Sequence, residues 1–124
     1  MGRAKGSSIA LKRVYDEPSE LDGQRILVER LWPRGLSKDR VSIHHWLKEI
    51  APSPELRRWY GHRPERWIKF QARYHAELNA NADAVLALRT LCDSGPTTFV
   101  FAARDTECNS AVALKRYLHG DFAN

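Results

Sequence analysis

Two stretches of apolar residues constrain the fold of this chain more than any other feature of its sequence. The first extends from Arg25 to Trp32 and the second from Thr97 to Ala103. Near-continuous apolar runs of this length are typical of strands that are buried on both faces of a parallel sheet. Predicted helices lie between the two runs. We therefore predict an α/β fold, a single compact domain in which helices flank a small, mostly parallel sheet.

The length of 124 residues and the lack of long apolar segments limit how the chain is organised. One domain of roughly 100–150 residues accounts for all of it. We expect a flexible leader at residues 1–8, which are small, polar and basic, one α/β domain at residues 9–120 and a short tail at residues 121–124. No apolar run approaches the ~18 residues of a membrane span, and no signal-peptide segment precedes Lys12. These observations predict a cytoplasmic protein without a membrane partner.

Turn and capping residues predict the other elements. Ser53, Pro54 and Glu55 are typical of a helix start, because the serine can accept a hydrogen bond from a free backbone N–H and the proline suits the first helical position. Residues 41–50 fit a helical face but could also contain an extended piece. The predicted elements are a strand at Ile9–Tyr15, helices from Pro54 to near Gly61, from Pro64 to Asn79 and from Ala82 to Cys92, and a last helix capped by Asp105 or Thr106.

Charged residues follow both apolar strands. Arg30 and Arg34 come after the first strand, and Arg104 and Asp105 come after the second. Ligands bind beyond the carboxyl ends of the strands in open parallel sheets. We therefore predict that Arg30, Arg34 and Arg104 clamp a phosphate or carboxylate group there. A structural alternative stays open, in which Arg30 pairs with Asp105, or Glu29 with Arg104, inside the protein.

Further cations, an indole and backbone donors complete the candidate site. We expect the N-terminus of the last helix to offer free N–H groups at Glu107, Cys108 and Asn109, which favour an anion. The candidate ligand-binding residues are Arg30, Trp32, Arg34, Lys38, Lys48, Arg57, Arg104, Asp105 and Asn109. They predict an anion site at the carboxyl edge of the sheet and leave open whether the protein is an enzyme.

Two segments carry a resemblance to a known family. Residues 27–35 read Leu-Val-Glu-Arg-Leu-Trp-Pro-Arg-Gly, and residues 102–105 read Ala-Ala-Arg-Asp. With these segments, the chain resembles the YeaO-like family of bacterial proteins, domain of unknown function 488, over about residues 9–119. The resemblance implies a compact α/β domain. It also implies a set of signature polar residues, Arg30, Arg34, Lys38, Lys48, Arg57, Arg104, Asp105 and Asn109.

The chain departs from the family pattern at two positions near the candidate site. Phe101 stands where the family usually has Tyr, and Ser110 stands where it tends to have His. A phenol and an imidazole are groups that donate and accept protons in catalysis. An acid–base mechanism carried over from the family would lack both groups in this chain.

The distribution of charge supports a second hypothesis, a nucleic-acid-binding module that uses the basic face of residues 41–75. Residues 1–75 hold a net charge of +7, and the remainder of the chain holds −2. Arg66, Lys69 and Arg73 recur at helical spacing beside aromatic residues, which could stack on bases but fit the core face better. The candidate nucleic-acid contacts are Arg57, Arg58, Arg66, Lys69 and Arg73.

Other chemistries have less support in the sequence. Cys108 could hold a thiolate beside Arg104 at a helix start, but no histidine is adjacent to it. The histidines lack metal-ligand spacing, and no Gly-rich phosphate loop occurs, so we predict neither a metal nor a nucleotide cofactor. His62 could fold over a cleft, although a loop hydrogen bond is the plainer interpretation. A third hypothesis is that the signature residues chiefly maintain the fold.

Overall fold

A computed structural model describes residues 9–120. The leader predicted at residues 1–8 and the tail predicted at residues 121–124 lie outside the described residues. Within the described part, no helix has both the length and the apolar character that a membrane crossing requires.

A four-stranded parallel sheet forms the centre of the structure. Across the sheet, Ile9 faces Thr97 and Ile26 faces Phe99. The two apolar runs supply the two central strands, which confirms the predicted α/β fold with a parallel sheet. In chain order the strands are β1 (Ile9–Arg13), β2 (Gln24–Leu27), β3 (His45–Trp46) and β4 (Thr97–Phe101), and they lie in the order β1-β4-β2-β3.

Within residues 9–120, five α-helices connect and cover the strands. Ser53 caps the second helix as predicted, because its hydroxyl accepts a hydrogen bond from the N–H of Leu56 at 3.1 Å. The segment 41–50 contains the extended piece that its pattern allowed, and a 3₁₀ turn at Pro64–Arg66 precedes the third helix. The helices are α1 (Lys38–Val41), α2 (Pro54–Tyr60), α3 (Trp67–Asn79), α4 (Ala82–Asp93) and α5 (Ser110–His119).

The two faces of the sheet bury different side chains because side chains alternate along a strand. Ile26 and Phe99 belong to the larger core cluster, which includes buried residues of α2, α3, α4 and α5. Leu27 and Val100 belong to a smaller cluster with Val41 of α1. Four helices therefore contribute to one face of the sheet, whereas α1 and neighbouring loops cover the other.

Both central strands end earlier than their apolar runs predict. β2 ends at Leu27 rather than at Trp32, and β4 ends at Phe101 rather than at Ala103. The backbone carbonyls beyond these points accept hydrogen bonds from side chains instead of from neighbouring strands. Trp46 Nε1 donates to the carbonyl of Glu29 at 2.7 Å, and the Arg13 guanidinium donates to the carbonyls of residues 102 and 103.

The start of the last helix also differs from the prediction. Neither Asp105 nor Thr106 caps this helix, because α5 begins only at Ser110 and Asn109 is its N-cap. The side chain of Asn109 accepts a hydrogen bond from the N–H of Val112 at 3.0 Å and donates to the carbonyl of Asp105 at 2.8 Å. The residues between the predicted and the observed cap form a loop, so their N–H groups are not those of a helix N-terminus.

Candidate functional site

A cavity of about 250 Å³ lies beyond the carboxyl ends of β2 and β4. Glu29 lines it from the chain that follows β2, and Ala102 and Ala103 line it from the chain that follows β4. Arg57 of α2 and Ser110 of α5 contribute further lining. The cavity occupies the place in the fold where parallel sheets commonly bind ligands.

Glu29 places a half-buried carboxylate in this cavity. Its Oε2 accepts one hydrogen bond, from the N–H of Ala102 at 3.2 Å. Within residues 9–120, no Lys, Arg or His nitrogen lies within 4.0 Å of a Glu29 oxygen. Burial raises the pKa of Glu29 above its ordinary value, although the Ala102 N–H and the charges of Arg57 and His62 act in the opposite direction.

Arg57 brings a positive charge to the same cavity. It lies in the last turn of α2, is exposed and lines the cavity. Its charge acts on Glu29, yet the two side chains do not form an ion pair. Among the described residues, the guanidinium has no hydrogen-bond partner, so its N–H groups are available to a ligand.

His62 adds an imidazole to the cavity lining through an unusual backbone turn. Gly61 ends α2 in the left-handed conformation with φ of 52°, and His62 follows with φ of 58°. A left-handed conformation costs a residue with a side chain roughly 1–2 kcal/mol. This turn places the ring of His62 in the lining, 6.5 Å from the ring of Tyr60. The sequence favours a loop hydrogen bond for His62, and it is the less favoured alternative, a histidine that folds over a cleft, that agrees with this position.

Tyr60 and Cys108 connect α2 to the loop before α5. The hydroxyl of Tyr60 donates to the carbonyl of Cys108 at 3.1 Å, and burial raises the pKa of this phenol to about 12. Burial also raises the pKa of the Cys108 thiol, and the charges of Asp105 and Glu107 act in the same direction. The hypothesis of a stabilised thiolate required a lowered pKa, so the structure gives the opposite direction.

Two of the predicted ligand-binding residues line the cavity, Arg57 and Asn109. Asn109 is buried, and its side chain is engaged in capping α5. Asp105 is exposed, and its Oδ1 accepts hydrogen bonds from the N–H groups of Glu107 and Cys108, both at 2.9 Å. These two hydrogen bonds hold the pKa of Asp105 below its ordinary value.

Three other predicted residues contact the protein itself. Arg30 donates to the carbonyl of Ala51 at 3.1 Å and to that of Pro52, which lie just before α2. Trp32 donates through Nε1 to the carbonyl of Leu36 at 2.7 Å. Lys48 lies over the ring of Trp46, with its ammonium 4.8 Å from the ring centroid. These contacts support the hypothesis that part of the signature maintains the fold.

Arg34, Lys38 and Arg104 are exposed and do not line the cavity. The structure therefore does not bring Arg30, Arg34 and Arg104 together as a clamp around it. Within residues 9–120 there is also no ion pair between Arg30 and Asp105, or between Glu29 and Arg104. The structural alternative that rested on those pairs does not describe this site.

The basic face proposed for nucleic acid is organised around one tryptophan. The guanidinium carbon of Arg66 lies 4.9 Å from the centroid of the Trp59 ring, and that of Arg73 lies 4.5 Å from it. Arg66 also donates to the carbonyl of Trp59. Arg58 and Lys69 are exposed and make no side-chain hydrogen bond or ion pair within the described residues. The spacing of the aromatic residues of α3 favours a core position, and the structure agrees: Phe70 and Tyr74 are buried in the core, and Trp67 packs against it.

Sequence reasoning did not place Glu29, Tyr60 and His62 in the candidate site. Glu29 directly follows a buried strand, and this signal indicates an edge position, but the sequence suggests for it only an internal pair with Arg104. Tyr60 lies on the buried face of α2, which alone predicts only packing. The position of His62 depends on the left-handed turn after α2, which the sequence indicates only through Gly61.

The fold and the cavity define a class of protein, a small α/β domain with a cavity at the carboxyl edge of a parallel sheet. The chain belongs to the YeaO-like DUF488 family, and a family profile described as "Inactive DUF488-N3 subclade" matches residues 8–124. This finding confirms the resemblance drawn from the sequence motifs.

Relatives in this family match this chain over nearly their whole length. It is 42% identical over 112 residues to an uncharacterised protein of Mycobacterium tuberculosis strain H37Rv, with 90% of this chain and 94% of the relative covered. It is 38% identical over 111 residues to the uncharacterised protein YeaO of Escherichia coli K12, with 90% and 96% covered. No solved structure matches the chain significantly.

Proposed function

We propose that this protein binds a small ligand through an anionic group, a phosphate or a carboxylate, in the cavity at the carboxyl edge of its sheet. The observation that carries the proposal is Arg57, an arginine in the cavity lining that has no internal partner among the described residues. An arginine fork binds carboxylate and phosphate oxygens with paired hydrogen bonds. The imidazole of His62 in the same lining is a further donor.

Several features support binding rather than catalysis. The matching family profile is described as inactive. The chain has Phe101 and Ser110 where the family resemblance leads us to expect Tyr and His. The raised pKa of Cys108 favours the protonated thiol, which is not the nucleophilic form. Together these features favour a site that holds a ligand.

Thermal unfolding with two neighbouring variants tests the proposal. Arg57→Ala removes the cavity arginine, whereas Arg58→Ala removes an exposed arginine of the same helix that does not line the cavity. Inorganic phosphate and acetate serve as separate probes for the two anion classes. A ligand that binds only the folded state stabilises it by about 2.7 kcal/mol at 100 times its Kd, which raises Tm by several degrees.

We expect at least one probe to raise the Tm of the wild type and of Arg58→Ala, and to raise that of Arg57→Ala much less. Phosphate also stabilises folded proteins generally through its exclusion from their surfaces, and this effect is the same in both variants. Equal shifts in all three proteins would show that the cavity arginine binds neither anion and would overturn the proposal.

A second candidate function is binding of single-stranded nucleic acid on the basic face of α2 and α3. The observation that favours it is the position of Arg66 and Arg73 over the ring of Trp59. Arginines and aromatic rings together form surfaces that bind the bases and the phosphates of a single strand. Lys69 lies between the two arginines in the sequence and is exposed.

Fluorescence anisotropy with a labelled single-stranded oligonucleotide at several salt concentrations tests this candidate. The combined replacement of Arg66, Lys69 and Arg73 by alanine should weaken binding and reduce the salt slope by about 2, because each phosphate contact contributes about 0.7 on a single strand. Arg104→Ala should leave both quantities unchanged. The candidate fails if the triple variant and Arg104→Ala bind alike, or if the wild type does not bind.

A further inference from the structure

The cavity lining contains two opposite charges that do not form an ion pair with one another. Glu29 and Arg57 both line it, and their nitrogen and oxygen atoms lie farther apart than the 4.0 Å of an ion pair. Other arginines of the family signature are not available to Glu29. Arg30 is bound to the carbonyls before α2, and Arg104 does not line the cavity.

Within the described residues, protein groups use only part of the hydrogen-bonding capacity of Glu29. An ionised carboxylate has about four acceptor sites, and Glu29 uses one of them, on the Ala102 N–H. Oε1 accepts no hydrogen bond from residues 9–120. A cation in direct contact would stabilise this partly buried carboxylate further, because Arg57 and His62 act on it only from beyond the ion-pair distance. A bare anion bound at Arg57 would add a second negative charge to the same cavity and would not compensate Glu29.

We propose that the ligand of this cavity carries a nitrogen hydrogen-bond donor, such as a primary amine, in addition to its anionic group, and that it bridges Arg57 and Glu29. This inference rests on the proposed anion-binding function and specifies its ligand class as a small amino phosphate or amino acid. The anionic group lies against the guanidinium, and the ammonium donates to Oε1 of Glu29. Each end of the ligand then meets the side chain of opposite charge.

A matched pair of probes tests this inference by isothermal titration calorimetry. Phosphoethanolamine and ethyl phosphate share a phosphate on a two-carbon chain and differ in the amine. The wild type should bind phosphoethanolamine about tenfold more tightly or better, which corresponds to about 1.4 kcal/mol, because a hydrogen bond between charged groups is stronger than one between neutral groups. In Glu29→Gln the difference should fall to about threefold or less. Glu107→Gln, which removes an exposed carboxylate outside the cavity lining, should keep the wild-type preference.

Each outcome has a defined meaning. If ethyl phosphate binds the wild type as tightly as phosphoethanolamine, the bridging inference is wrong and the anion-binding function stands. If neither of these phosphates binds, and β-alanine and propionate, the carboxylate pair matched in the same way, do not bind either, both proposals are overturned. Should Glu29→Gln fail to fold, carboxyl-carbon NMR of Glu29 in the wild type gives a second measurement. Phosphoethanolamine should lower the pKa of this carboxyl and ethyl phosphate should not, whereas equal effects of the two probes would contradict the bridge.

Discussion

Asp22 and Arg25 form the most buried ion pair among the described residues. Arg25 is 1% exposed, and its guanidinium donates to Asp22 at 2.6 Å and to the carbonyl of Val41. Lys12 contacts the same carboxylate at 3.1 Å. Through Lys12 of β1 and the Val41 carbonyl of α1, the pair connects these two elements to β2. Burial alone would raise the pKa of Asp22, but hydrogen bonds from the Ser19 N–H, Lys12 and Arg25 outweigh burial and lower it.

Replacing Asp22 with asparagine should lower the free energy of unfolding at neutral pH by about 3 kcal/mol, because Arg25 would stay buried without a counter-ion. The pKa of Asp22 is lowered from 3.8 by folding, so its contribution to stability is present above that value and is lost as the pH falls through the folded pKa. The difference between the two proteins should therefore shrink in acid. Denaturant unfolding at a series of pH values measures it.

Asp16→Asn provides the control for this prediction, because Asp16 is exposed and makes no side-chain hydrogen bond or ion pair within the described residues. Its free energy of unfolding should stay within about 0.5 kcal/mol of the wild type. A similar loss in both variants would show that the buried pair has no special role.

Arg30 shows why a residue type does not by itself determine a role. The sequence places it after a buried strand, where an arginine can reach a ligand. In the structure it donates to the carbonyls of Ala51 and Pro52, both of which are buried. Buried backbone carbonyls need donors, and the donor that meets them depends on how the chain before α2 packs against the sheet.

At the scale of elements, α5 depends on a cap that local rules did not select. Asp105 and Thr106 are both good N-cap residues, and so is Asn109. Only Asn109 caps α5 in the structure, whereas Asp105 accepts its hydrogen bonds within the preceding loop. These three residues lie within five positions of one another and have similar N-cap propensity, so packing of the loop decides which of them caps the helix.

Asn109→Ala should lower the free energy of unfolding by about 1–2 kcal/mol, because it removes both the cap of Val112 N–H and the hydrogen bond to the Asp105 carbonyl. Thr106→Ala should change it by less than about 0.5 kcal/mol, because Thr106 is exposed. Thermal or denaturant unfolding of the two variants decides the point. The observed helix start is contradicted if Thr106→Ala is the more destabilising of the two.

The cavity belongs to the scale of the whole molecule. Its lining comes from the ends of β2 and β4, from α2 and from the start of α5, which are distant in the sequence. The excess of basic residues in the first 75 positions indicates where an anion would be attracted. The distribution of charge does not indicate that Arg57 and Glu29 line the same cavity, because their proximity depends on the order of the strands in the sheet.

The sequence by itself determined the α/β class, the two central strands, the start of α2 and the family, because apolar runs, capping residues and motifs are local properties that act over a few residues. Only the tertiary structure decided where these strands end, which residue caps α5 and which charged side chains share the cavity. Those outcomes depend on hydrogen bonds between distant segments, such as Trp46 to Glu29 and Arg30 to Ala51. A long charged side chain can reach many partners, and packing selects one of them.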